Sequence, residues 1–164
     1  MDALSIDTVV RWGHIGAAIV WIGHNYATFI SRPQFIPFRG DTQQADGGSD
    51  LEARMQREHG TFRWASVVVW VLGLTMLWRH GQLLDALTLR GASAPIGLGM
   101  WIGTMMMLNV WFVLWPHQKK VLGFVPAPDD ERMACSRVTF LSARVNTMLS
   151  IPLLFLMVAG SHGL

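Results

Sequence analysis

Six histidines are the side chains best equipped for chemistry in this 164-residue chain, and two of them occupy an unusual setting. His14 and His24 lie inside the apolar run 8–30, TVVRWGHIGAAIVWIGHNYATFI. An ionisable group at membrane depth is costly, so each is a functional-site candidate by default. An imidazole placed there can ligate a metal or simply hydrogen-bond another helix. Other chemistries lack their residues. No histidine pair has metalloprotease spacing, no Gly-rich phosphate loop is present, and no carboxylate lies within an apolar run. The one cysteine, Cys135, permits neither an internal disulfide nor a CxxCH haem attachment.

What must position these histidines is a set of apolar helices. The chain is 51% hydrophobic and 15% charged, against about 25% charged for a soluble domain. Eight Trp and ten Met suit a membrane protein, with Trp at the interfaces and Met filling gaps. The net charge is only +2, and the cations sit in loops beside apolar runs. Lipid bilayer, not nucleic acid, is the expected environment.

Four runs are long enough to be read as membrane-spanning helices, at about 8–30, 62–78, 96–115 and 138–158. Ser31-Arg32-Pro33 ends the first, and a polar segment follows, with a short amphipathic helix expected near 51–58. Arg63 and Arg79 flank the second run and can snorkel. The third carries Gly99 and Gly103, a spacing that permits close helix contact, and Pro116 is expected to end it. Pro152 predicts a kink in the fourth. Asp2 and Asp7 precede the first run and no small-x-small cleavage site follows it, so it is expected to be retained rather than cleaved. The prediction is an all-α, single-domain integral membrane four-helix bundle over 1–164.

Positive residues set its orientation. The first and third loops hold Arg32, Arg39, Arg54, Arg57, Arg63, Lys119, Lys120, Arg132 and Arg137; the opposite side holds Arg11, Arg79 and Arg90. The excess puts those loops in the cytoplasm and both termini on the periplasmic side of a bacterial inner membrane. Depths can then be compared at about 1.5 Å per residue. His24, Asn109 and Asn146 fall at similar depth in the cytoplasmic half, with Asn25, Ser66 and Arg144 nearby. His14, His80 and His162 gather towards the outer face. His14 and His24 are ten residues apart, about 280° around a helix, so they face different sides. The small residues Gly13, Gly16, Ala17, Val20 and Ala27 would let a helix or a flat macrocycle approach.

Each signal has a plainer reading. His14 and His24 can be interhelical hydrogen bonders, and Asn109 and Asn146 likewise. His80, His59 and His117 lie at helix ends, and His162 lies in the tail. The tryptophans can be belt or packing residues. The ligand reading rests on histidines carried by facing helices of a bundle, the arrangement by which membrane b-type cytochromes hold haem.

Several stretches resemble the N-terminal family of PuuD-type membrane urate oxidases (urate hydroxylases). They are RWGHIGAAIVWIGHNY, FRWASVVVWVLG, LNVWFVLWPHQKKVLG and RVNTMLSIPLLFLMVAGSH. The resemblance implies an integral membrane domain of an enzyme that oxidises urate and passes electrons to a c-type cytochrome. By position His14 matches a first-helix histidine and His162 a histidine closing the last helix, while Asn109, Lys119, Lys120, Asn146 and Pro152 match recurring positions. In similar bundles of the protoporphyrinogen-oxidase type a first-helix histidine ligates haem b, which favours His14 as an axial ligand. The chain is expected to be a short stand-alone version without the cytochrome c domain.

The expected function is a membrane-embedded haem-b or electron-transfer subunit of a respiratory or redox complex. His14 is its first axial ligand, paired with His162 or His80, and other membrane subunits and a c-type cytochrome are its partners. His24 with Asn109 and Asn146 forms a second site, for haem or quinone. The alternatives are a cofactor-free structural subunit of a larger complex and a stand-alone oxidase of urate or another small molecule.

Overall fold

The computed structural model describes residues 3–31, 33–35 and 49–162, with side chains over 6–31, 33–35 and 62–162. Among these residues the chain is all helical, with no strand. Helix α1 spans Ala3–Ser31 and α2 spans Ser49–Arg79. A short α3, Leu83–Leu87, and a 3-10 turn, Gly91–Ser93, lead into α4, Ala94–Leu108. A π-helical turn, Asn109–Leu114, joins α4 to α5, Trp115–Val121, and α6 runs from Asp129 to His162. Arg32 and Arg39, used in the orientation argument, lie outside the described residues.

Among the described residues, two helices are long and apolar enough to cross a membrane: the continuous Gly91–Val121 stretch and Asp129–His162.

The long helices run antiparallel to their neighbours. Asp7 meets Arg79 and His24 meets Phe62 across α1 and α2. Trp70 donates to Thr104 at 2.9 Å across α2 and α4, and Trp64 meets Trp111 of the following π turn edge-on. Gly103 faces Leu153 across α4 and α6. Thr147 reaches the Asn25 carbonyl and Arg144 covers the Phe29 ring, which closes α6 back onto α1. The apolar centre is Trp21, Ile22, Met106 and Leu153.

Polarity is distributed inside out. The largest fully buried side chains are Met106, Asn146, Ser66 and Ser150, three of them polar. The outer faces carry Trp12, Ile19 and Ile30 on α1, Trp78 on α2, and Phe155 on α6, each more than two-thirds exposed. Polar residues inside and large apolar ones outside reverse the pattern of a water-soluble domain.

Several boundaries differ from those the sequence predicts. The helix expected to stop at Pro116 continues to Val121. Proline has no N–H for the carbonyl four residues earlier, and a π turn accommodates the irregularity just upstream. The separate amphipathic helix expected near 51–58 is the first part of α2. The last helix begins at Asp129, nine residues ahead of the apolar run. Asp129, Asp130 and Glu131 occupy its first turn, where negative charge is favoured by the helix dipole. The Lys120–Glu131 ion pair, 2.5 Å long, and an Arg132 bond to the Val121 carbonyl tie the α5–α6 turn closed. At the opposite end, α3 folds over the start of α4. There a Cβ on Gly97 would collide with the Ala86 carbonyl, so only glycine fits.

Candidate functional site

His14 projects from α1 onto α2. Its Nδ1 lies 2.9 Å from the Val69 carbonyl oxygen. A carbonyl can only accept, so Nδ1 carries the proton and donates, and in the neutral ring Nε2 then keeps a free lone pair. That carbonyl also belongs to the α2 ladder, whose next partner along the helix is Gly73. A Cβ at Gly73 would stand 3.0 Å from His14 Cε1, so the missing side chain makes room for the ring. This tautomer, held by a backbone carbonyl, is the form in which a neutral histidine offers Nε2 to a metal.

The other outer-side histidines are engaged elsewhere. His80 is exposed; its Nδ1 donates to the Met76 carbonyl, and Nε2 lies 3.8 Å from Asp7. Asp7 in turn accepts from Arg79 Nε at 2.6 Å. That hydrogen bond holds the Asp7 carboxyl below the usual carboxylate range. His162, also exposed, donates from Nδ1 to the Val158 carbonyl in its own helix. No contact in the structure joins either of them to His14. Among the described residues, no three of His, Cys, Asp and Glu gather as a metal site.

In the other half of the bundle, Asn109 and Asn146 meet. Asn109 Nδ2 donates to Asn146 Oδ1 at 2.8 Å and to the Ser142 carbonyl at 3.1 Å. Ser142 Oγ donates to Asn109 Oδ1 at 2.8 Å, and Asn146 Nδ2 donates to the Met106 carbonyl at 3.2 Å. Each amide nitrogen and oxygen thereby has a partner, which makes this cluster a clasp between the end of α4 and α6. His24 is not part of it. Its ring stacks on Phe62, with centroids 3.8 Å apart. The depth arithmetic paired the asparagines but left out the angle around α1 that sends His24 to α2.

Sequence reasoning missed two arrangements. One is a cationic aromatic cluster in which Arg63 lies over Trp64, Trp111 and Trp115, 4.1 Å from the last ring centroid. In the sequence Arg63 reads as a snorkelling residue and the tryptophans as belt or packing residues; their spacing on separate elements carries no signal of the cluster. The other is on α1. Trp21 and Asn25, one turn apart, are buried to 3% and 9% exposure, yet Trp21 Nε1 and Asn25 Nδ2 have no hydrogen-bond partner. The stripe of small residues on α1 also divides. A Cβ on Gly13 would stand 3.1 Å from Leu72, whereas one on Gly16 would meet nothing.

Residues 53–164, from α2 to the end of the chain, match the model of the urate oxidase N-terminal family. Helix α1, with His14 and His24, lies before the matched segment. No curated protein and no solved structure matches the chain. The match covers well over half of the sequence and takes in the Asn109–Asn146 clasp, the Arg63 cluster and His162; the chain belongs to the urate oxidase N-terminal family.

Proposed function

We propose that this chain is the membrane-embedded electron-transfer domain of a urate-oxidase-type oxidoreductase, crossing a bacterial inner membrane four times and holding haem b through His14. Family membership supports the oxidoreductase part. The inside-out polarity supports four crossings, since α1 and α2 present Trp12, Ile19, Ile30 and Trp78 outwards just as α6 presents Phe155. The balance of Arg and Lys supports cytoplasmic first and third loops and periplasmic termini.

The observation that carries the haem reading is the His14–Val69 hydrogen bond. It fixes the tautomer, orients the ring and leaves Nε2 as the basic nitrogen, as an axial ligand requires. The donor set fits one axial ligand. His80 and His162 also bond a backbone carbonyl through Nδ1, so either could offer Nε2 without losing that bond, but each is exposed at a helix end and would have to be brought to His14. A haem at His14 would supply one-electron transfer, with its potential set by the axial imidazole and the dryness of the site. The chain's own contribution is to hold that imidazole in one orientation between α1 and α2. The expected partners are a c-type cytochrome on the periplasmic side and other membrane subunits.

The test is the reduced-minus-oxidised spectrum of the purified protein. A b-type α band is expected, and His14→Ala should abolish or shift it. No band in the wild type, or the same band in His14→Ala, rejects the reading. A second reading, a cofactor-free subunit of a larger complex, draws on the closed Asn109–Asn146 clasp, which uses two of the proposed site residues for helix packing.

A further inference from the structure

Helix α1 turns one line of side chains towards the interior. His14, Trp21, Asn25 and Thr28 follow one another at seven, four and three residues, which keeps them within about 60° of each other on a helix. His14 has its partner on α2. The next three do not: Trp21 Nε1, Asn25 Nδ2 and Thr28 Oγ all lack one. Trp21 belongs to the apolar centre with Met106 and Leu153, so the unpaired N–H groups begin at the middle of the bundle. Beside this line His24 stacks on Phe62, and the following residue, Arg63, also has an Nε–H without a hydrogen-bond partner.

Unpaired buried donors are costly and rare. A native structure keeps them when something else supplies the acceptor. The polar clasp a short distance away shows the contrast, because there every amide group is used. The unpaired groups on Trp21, Asn25 and Arg63 are N–H donors, and the Thr28 hydroxyl can also donate. A ligand that complements them carries acceptors and need not donate. It must also enter between helices whose outer faces are apolar. A quinone ring has this chemistry: carbonyl oxygens, no N–H or O–H, and solubility in the bilayer. A purine trione such as urate brings several N–H groups, for which this line offers few acceptors beside the Thr28 hydroxyl and Asn25 Oδ1.

We infer that Trp21 and Asn25 form the donor side of a binding site for a quinone head group, with a ring carbonyl accepting from Asn25 Nδ2 and Trp21 Nε1. The site is separate from His14 and does not depend on haem. It also differs from the inner site expected from the sequence, because Asn109 and Asn146 are committed to each other and His24 lies off the line.

The experiment uses the full chain in phosphatidylcholine nanodiscs, titrated with decylubiquinone and followed by tryptophan quenching against empty discs. Saturable binding is expected. Asn25→Leu and Trp21→Phe remove a donor while keeping bulk, and each should weaken binding about tenfold, the worth of one well-made hydrogen bond. Because the donors are unpaired without ligand, Asn25→Leu should leave the melting temperature of the ligand-free protein unchanged or raised. Excess urate should not compete. The proposal is overturned if binding is not saturable, or if both variants bind as the wild type does. It is also overturned if Asn25→Leu lowers the melting temperature without ligand, since the amide would then be satisfied by internal water. Retention of the b-type spectrum in these variants separates a failure here from a failure at His14.

Discussion

Replacing Gly73 tests the contact on which the His14 geometry depends. A Cβ there would stand 3.0 Å from His14 Cε1 and 3.4 Å from Nδ1. Carbon atoms in contact rest at about 3.5–4.0 Å, so the ring must retreat by about 0.5–1 Å. The Nδ1–O separation would then grow from 2.9 Å to about 3.4 Å or more, beyond hydrogen-bond range. An interhelical hydrogen bond in a membrane is worth about 0.6 kcal/mol and at most about 1.7. Alanine for glycine inside a helix returns about 0.5–1 kcal/mol. These nearly cancel, so Gly73→Ala should unfold at almost the wild-type denaturant concentration. Gly73→Val adds two methyl groups against the imidazole and should cost about 1–3 kcal/mol. The sharper readout is the ¹⁵N spectrum of His14 in protein labelled at histidine. The wild type should show one tautomer protonated at Nδ1, and Gly73→Val should show a mixture. If Gly73→Val keeps both the single tautomer and the wild-type stability, the close approach does not hold His14 and the argument fails.

The clasp between α4 and α6 can be measured by a double-mutant cycle. Asn109→Ala and Asn146→Ala should each destabilise, and detergent-to-SDS unfolding should give a coupling of about 0.6–1.7 kcal/mol; a coupling of zero would deny the 2.8 Å bond. Asp7→Asn should lower the melting temperature slightly at pH 7. The Asp7 pKa is depressed by Arg79, so its contribution is present above the unfolded-state pKa and is lost as the pH falls through the lower folded value. Melting curves of wild type and Asp7→Asn should therefore converge in acid. If the gap between them widens in acid, the assigned sign is wrong.

The parts of the fold readable in the sequence were those that hydropathy encodes. The apolar runs located the cores of α1, α2, α4 and α6, because an unbroken apolar stretch of that length reads as one helix. The polar extensions escaped. Asp129–Arg137 continues α6 beyond its apolar run, and 49–61 does the same for α2; a helix can run on through polar residues that hydropathy does not mark. Depth arithmetic brought Asn109 to Asn146, since rise along a helix is regular. It failed for His24 because depth says nothing about direction around the axis. The partner of His14 was out of reach for a different reason. Val69 offers its backbone carbonyl, which every residue has, so no residue type marks it. The unpaired state of Trp21 and Asn25 was likewise invisible, because a missing hydrogen bond depends on all the neighbours at once.

The π turn at Asn109–Leu114 has a consequence for how this helix varies. A π turn takes up one surplus residue locally, and the helix on either side keeps the facing it would have without it. Deleting one residue between Val110 and Leu114 should therefore return the turn to regular α-helix without rotating its ends. Gly99 would still lie on α6, and Lys120 would still reach Glu131. The same deletion in α1 would swing His14 or Asn25 by about 100° and take it off its line. One-residue gaps among relatives should therefore collect at this turn and avoid α1.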